Sequence, residues 1–276
     1  QGAELIWGLL MLERRWLPAN WWRGEHRGYA YYVVGERPNG VPRPTVLLLH
    51  ELNGISPDLV EWANKLAGSF RVMVPALLHP EGRPGMLRGV IAICVRREIH
   101  TFAIGRTSPV VGRLRALAED TVPRGESFGV IGMCMSGGFA LALAVNPQVR
   151  AAVVAQPSLP TVTAPIVHLP LPGAAHRASD LGLDPADVDM LRRRAADAET
   201  DGSLAVRAFR FRDDSLSPPE RLDAACNLLG TRVLRVRTLC EPDPSKHSTL
   251  TGQHASHEAV TEVIEFLKER LSLRPG

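Results

Sequence analysis

The chain has 276 residues, is 45% hydrophobic and 22% charged, and carries a formal charge of +3. These values suit one globular domain with a sheet covered on both faces. With Arg and Lys interleaved among Asp and Glu, they exclude a nucleic-acid-binding face. No run reaches the about 18 apolar residues of a membrane-spanning helix.

The residues before Tyr29 hold four of the five tryptophans, Trp7, Trp16, Trp21 and Trp22. A short helix docked on the body of the protein, or on a partner, is the expectation there. The apolar stretch Leu5–Leu12 has no basic residues before it, so it is not read as a secretory signal. Strands are expected over Tyr29–Val34, Thr45–Leu49, Arg71–Pro75, 128–132, 151–155, 205–212 and 233–239. Ser56-Pro57 is a cap with proline at the first helical position, opening a helix that runs to Gly68. Further helices are expected over 86–100, 109–120, 138–145, 184–198, 218–229 and 257–271. Strands alternating with helices predict an α/β fold with a mostly parallel central sheet flanked by helices on both faces. Residues 1–44 read as an N-terminal extension and first hairpin. Residues 45–272 form the main domain, with 159–202 an irregular excursion near the site, proline-rich over 159–183.

Residues 128–145 carry the strongest signal. A short apolar strand turns into an Ala/Leu-rich helix within about four residues. Such a turn strains the residue at its tip and requires small residues at −2 and +2. Gly132 and Ser136 are those flanks around Cys134, and Gly137 lets the helix pack close to the sheet. A second register, with Ser136 at the tip between Cys134 and Gly138, meets the same small-residue rule. The exposed N–H groups of the first helical turn favour an anion there, which is the reactive form of a thiol.

A thiol nucleophile needs a base, and the base needs an orienting acid. In a nucleophile-elbow fold these follow in the order nucleophile, acid, histidine. Asp214 stands just after the strand over 205–212, with Asp213 as the neighbouring alternative. His247 stands between the last strand and the last helix, with His254 and His257 close by. The oxyanion hole calls for two backbone N–H groups, from Met135 after the nucleophile and from Leu52 after the early strand. Glu51 is a carboxylate at the end of a buried strand, a costly placement unless it has work. Of the four cysteines, Cys94, Cys134, Cys226 and Cys240, none forms a Cys-x-x-Cys pair, and His254-x-x-His257 lacks a third ligand, so no metal site is expected. A reactive thiol fits a reducing compartment, so a cytoplasmic location is expected.

His50-Glu51-Leu-Asn-Gly54, Gly132-Met-Cys134-Met-Ser-Gly137, Asp214-Ser-Leu-Ser-Pro218 and His247-Ser-Thr-Leu-Thr251 together resemble the dienelactone hydrolase (carboxymethylenebutenolidase) family. The resemblance covers roughly residues 44–272, and Gln156-Pro-Ser-Leu-Pro160 and Ala178–Leu183 are similar to an uncharacterised branch of it. It implies an α/β-hydrolase fold, a Cys134–His247–Asp214 triad and no cofactor. It implies a resting thiol that is neutral and faces Glu51, which takes its proton once substrate binds. An acyl-thioester then forms and is hydrolysed. Ser136 departs from the glycine usual in that family. Arg83 and Arg88 are the candidates for holding a substrate carboxylate. The expected substrate is a small ester or lactone, with no nucleic-acid partner and a monomer or homodimer in solution. Acyl transfer to another acceptor, a serine-type esterase using Ser136, and a non-catalytic binding protein on the same fold are the alternatives.

Overall fold

The computed structural model describes residues 17–36, 42–79, 81–85, 105–158, 174–240 and 246–272. Their strands are β1 (Trp22–His26), β2 (Tyr29–Val34), β3 (Thr45–Leu49), β4 (Arg71–Pro75), β5 (Phe128–Met133), β6 (Val149–Ala155), β7 (Ala205–Phe211) and β8 (Leu234–Leu239). They form one sheet in the order β1-β2-β4-β3-β5-β6-β7-β8. β3 to β8 run parallel, while β1 and β2 are antiparallel. The chain leaves β3 for β4 on one side and then returns to β5 on the other. Ligand clefts in open α/β sheets form at the carboxyl ends beside such a reversal, here between β3 and β5.

The central strands are apolar on both faces, so each reads as a continuous hydrophobic run. Along β3, Val46 and Leu48 face one core while Leu47 and Leu49 face the other. The first core packs under α1 (Pro57–Ala67) and α7 (His257–Leu271). The second packs under α2 (Pro109–Thr121), α3 (Gly137–Leu143), α5 (Pro185–Asp201) and α6 (Pro219–Leu229). The helices start where their caps are. Ser56 Oγ accepts from Leu59 N–H at 3.3 Å, and Asp184 Oδ1 accepts from Asp187 N–H at 2.8 Å, each followed by proline. Gly202, at φ 64°, ends α5 in the left-handed conformation that glycine adopts without strain.

Two local expectations change. Of the stretch before Tyr29 where a short helix was expected, residues 22–26 form the edge strand β1, paired with β2 through a turn at Arg27 and Gly28, and residues 1–16 lie outside the described residues. Both turn residues have positive φ, 51° and 77°, as a two-residue hairpin turn requires. Trp21 is buried, and Trp22 stands exposed with its ring edge-on to Tyr31. Trp7, Trp16 and the helix expected over 86–100 lie outside the described residues. Within 159–202, Ala174–Ser179 (α4) is a helix that was not expected, while Pro185–Asp201 is the helix expected over 184–198.

Arg194 on α5 is buried, and its guanidinium donates to the carbonyls of Ala144, Asn146, Pro147 and Val149. It closes the end of α3 and the start of β6, where carbonyls would otherwise lack donors. Burial lowers its pKa to about 10, so it stays cationic at neutral pH. Arg194→Met keeps the apolar stem and orphans these acceptors. The expected loss is about 3 kcal/mol, read as a lower urea midpoint with an unchanged slope.

Candidate active site

Every polar group of the site follows the carboxyl end of a parallel strand. Glu51 follows β3, Cys134 follows β5, Gln156 follows β6, Asp214 follows β7 and His247 follows β8. Cys134 opens a single 3-10 turn, Cys134–Ser136, between β5 and α3. Its φ is +53°, a left-handed conformation that costs a non-glycine residue about 1–3 kcal/mol. A Cβ on Gly132 would lie 2.2 Å from the Ser136 carbonyl oxygen, and one on Gly137 would lie 2.8 Å from Pro157 Cβ. The glycines are thus dictated by the sharpness of the turn. Ser136 has ordinary right-handed dihedrals, φ −84° and ψ −1°, and no exposure. Its hydroxyl accepts from Met133 N–H at 2.9 Å and lies 2.9 Å and 3.2 Å from the carbonyls of Met133 and Leu49.

Of the two adjacent aspartates, Asp213 is exposed and Asp214 is 4% exposed. The Asp214 Oδ2 accepts from His247 Nδ1–H at 2.7 Å, while its Oδ1 accepts from Leu216 N–H at 2.9 Å. Arg210 braces this loop by donating to the carbonyls of Ser217 and Asp214. With Nδ1 committed to Asp214, His247 Nε2 is buried and has no hydrogen-bond partner among the described residues. The Cys134 sulfur is the group next to it. Burial opposes a charge on His247, yet the Cys134 sulfur and the Asp214 carboxylate outweigh it and lift its pKa to about 11. His254 and His257 stay apart from this arrangement, the first half-buried beside Gln253 and the second exposed at the start of α7.

Among the described residues, the donors that hold the Glu51 carboxylate are neutral. Gln156 Nε2 donates to Oε1 at 2.9 Å, Ser248 Oγ lies 3.0 Å from both oxygens, and Thr251 Oγ1 lies 3.5 Å from Oε1. Burial raises its pKa, against the opposing pull of the His247 charge and these hydrogen bonds. The resemblance implies a thiol facing Glu51. In this structure the sulfur interacts with His247, and among the described residues no hydrogen bond joins Cys134 to Glu51. Leu52 follows Glu51 in the turn after β3, and Met135 follows Cys134. Arg83 lies in the segment 81–85, which packs on that turn through Ile55 N–H to Gly82 O and Gly85 N–H to Asn53 O. Arg88 lies outside the described residues.

Two residues of the site escaped the sequence reading of its chemistry. Gln156 appeared there only within a family-like segment, although a polar residue closing the apolar strand β6 was a usable signal. His50 likewise appeared there only within the family-like segment His50–Gly54. It is fully buried, donates from Nδ1 to the Glu51 carbonyl at 2.6 Å, and accepts from Leu77 N–H at Nε2 at 3.0 Å. It therefore fixes the turn that carries Glu51 and Leu52.

The model of the dienelactone hydrolase family matches residues 30–197, more than half of the chain. That span includes Glu51 and Cys134 and stops before Asp214 and His247. No curated protein matches the sequence. Among solved structures, a Klebsiella pneumoniae subsp. pneumoniae MGH 78578 protein described as a candidate dienelactone hydrolase aligns with TM-score 0.56 and 14% identity, over 89% of this chain and 93% of its own. A membrane phospholipase A, a bacterial virulence factor, aligns with TM-score 0.56 and 15% identity, over 98% and 93%. MGS-MChE2, an α/β hydrolase from the metagenome of lagoon sediments at Mar Chica, Morocco, aligns with TM-score 0.52 and 15% identity, over 90% and 99%. At these identities the likeness establishes the α/β-hydrolase fold. Among the described residues, no helix is long and apolar enough to cross a membrane.

His50 makes stability depend on pH. Burial, aided by the nearby His79, lowers its pKa to about 4 despite its bond to the Glu51 carbonyl. Between about pH 6.5 and 4 the unfolded chain therefore binds the proton that the folded chain refuses, so stability falls as pH falls through that window. About 3 kcal/mol is lost across it by this group. His50→Gln, measured by urea unfolding at each pH, is expected to be less stable at pH 8 and to show a shallower loss towards pH 4.

Proposed function

The chain belongs to the dienelactone hydrolase family and is a hydrolase, and from that premise we propose that it cleaves carboxylic ester or lactone bonds with Cys134 as nucleophile. The single observation that carries this reading is the strained backbone of Cys134 beside a buried His247–Asp214 pair. Strain at a non-glycine residue persists where the surroundings enforce it, and it clusters at functional positions. Ser136 does not compete well as nucleophile, because its hydroxyl is buried among backbone groups and its dihedrals are relaxed.

In this mechanism the Cys134 sulfur attacks the acyl carbon, and the carbonyl oxygen takes up negative charge against the N–H groups of Leu52 and Met135. His247 Nε2 gives its proton to the departing alkoxide, leaving an acyl-thioester on Cys134. A water then loses a proton to Nε2 and attacks the thioester, releasing the acid and a thiolate, and the proton taken up by Glu51 returns to the sulfur, restoring the thiol, the imidazolium and the carboxylate. Asp214 holds Nδ1–H throughout, fixing the tautomer and orientation of the ring. For Glu51 we retain the role of taking the thiol proton, which requires the sulfur to turn from His247 towards the carboxylate. Its raised pKa makes it a better proton acceptor than an exposed glutamate.

Cys134→Ala is expected to abolish p-nitrophenyl acetate turnover, while Ser136→Ala retains most of it. Quenched reactions should show a mass increase of one acyl group on a peptide containing Cys134. Full turnover in Cys134→Ala would overturn the reading. Asp214→Asn is expected to lower kcat by about 10³-fold or more with the fold intact, because the ring loses the tautomer it needs. Asp213→Asn should stay within about threefold of wild type. Reversed effects in steady-state kinetics would mean that the exposed aspartate is the acid.

A further inference from the structure

Gln156 is the residue whose geometry the reaction scheme leaves unexplained. It is completely buried and has φ +35°, outside the range a non-glycine residue prefers. Its backbone N–H still continues the sheet, donating to Phe209 O at 2.6 Å. The left-handed twist after Ala155 sends the chain and the side chain in different directions. The chain goes over the elbow, where Pro157 packs on Gly137 and Ser158 N–H donates to the Cys134 carbonyl at 2.9 Å. The side chain goes to the other polar group of the site. Its Nε2 donates to Glu51 Oε1 at 2.9 Å, and its Oε1 accepts from Thr249 N–H at 3.1 Å and Thr249 Oγ1 at 2.5 Å. These partners decide the amide orientation, since a carboxylate needs the donor and an N–H needs the acceptor.

One amide thus joins the loops after β3, β6 and β8. Thr249 stands two residues after His247, and Ser248 between them donates to Glu51. We propose that Gln156 is a positioning residue, holding Glu51 and the His247 loop at a set separation beside the elbow that its own backbone covers. The assignment deepens the thiol-hydrolase reading, and its reaction role rests on that reading. Only an amide meets the demand. A carboxylate would still accept from Thr249 N–H but would set an acceptor against the Glu51 oxygen, and an apolar side chain would leave a buried carboxylate and a buried N–H short of partners. Among the described residues, the titratable group acting directly on Glu51 is His247, and Cys134 and Asp214 act in turn on His247.

The test uses two variants and two readouts. Gln156→Glu is isosteric and sets a second carboxyl group against Glu51. At pH 8, with both ionised, kcat/KM is expected to fall by about 10²-fold, the scale of a misplaced catalytic group. Towards pH 5 the pair can share a proton that replaces the amide hydrogen. The ratio of wild type to variant should then shrink to within about threefold. A ratio that does not change with pH would overturn the proposal, because a packing role alone predicts a constant loss. Gln156→Gly tolerates the positive φ without strain, so it is expected to fold, and it removes the amide. In this variant the Glu51 carboxyl, followed by carbon-13 NMR, should titrate at higher pH than in wild type, since a donor to its charged form is gone. An unchanged Glu51 titration would overturn the proposal even if Gln156→Glu fails to fold. The NMR readout needs no turnover. Full activity in Cys134→Ala would defeat the thiol reading while leaving the Gln156–Glu51 contact independently decided.

Discussion

The close approach of Gly132 to Ser136 is the constraint on which the site depends. The Ser136 carbonyl stands where any side chain at 132 would be, so the chain turns within three residues of leaving β5. That sharpness forces the left-handed φ at Cys134, whose side chain is half-buried against the core. The same turn drives the Ser136 hydroxyl inward, where it bonds to the end of β5 and reaches Leu49, just before the segment that carries Glu51. A local steric demand thereby links two neighbouring parallel strands at the reversal point of the sheet.

The strain has to be opposed by the surroundings, and the surroundings supply polar as well as apolar contacts. Pro157 presses on the elbow helix from β6, and Arg194 from α5 closes the far end of that helix. Hydrogen bonds from Ser158 and Arg221 to the carbonyls of Cys134 and Pro157 tie down the segment that crosses the elbow. Such buried networks rigidify only when every member is satisfied. Among the described residues, the buried His247 Nε2, next to the sulfur, and Ser217 Oγ in the Asp214 loop lack hydrogen-bond partners.

Two carboxylates share the site and have different environments. Asp214 is engaged by the His247 ring and a backbone N–H. Glu51 is surrounded by an amide and hydroxyls, with burial favouring its neutral form. His50 adds a third, purely neutral group that secures the turn between β3 and α1.

The amino-acid sequence by itself determined the short-range features. The apolar runs with capped helices between them specify a parallel sheet, because burial on both faces shows directly in composition. Gly132, Cys134 and Gly137 announce a sharp strand-to-helix turn, because the steric rule spans only a few residues. The edge strand β1 was hidden, since an exposed edge carries no apolar alternation and its turn is Arg27-Gly28 rather than Asn-Gly. Tertiary structure alone decided the rest. Whether Cys134 or Ser136 tops the turn depends on which residue takes the positive φ. Which of Asp213 and Asp214 meets His247 depends on how the loop after β7 folds back under Arg210. The contact of Gln156 with Glu51 joins residues 105 positions apart, and no local pattern encodes it. Strand order and register bring such groups together, and those follow from how the whole chain packs.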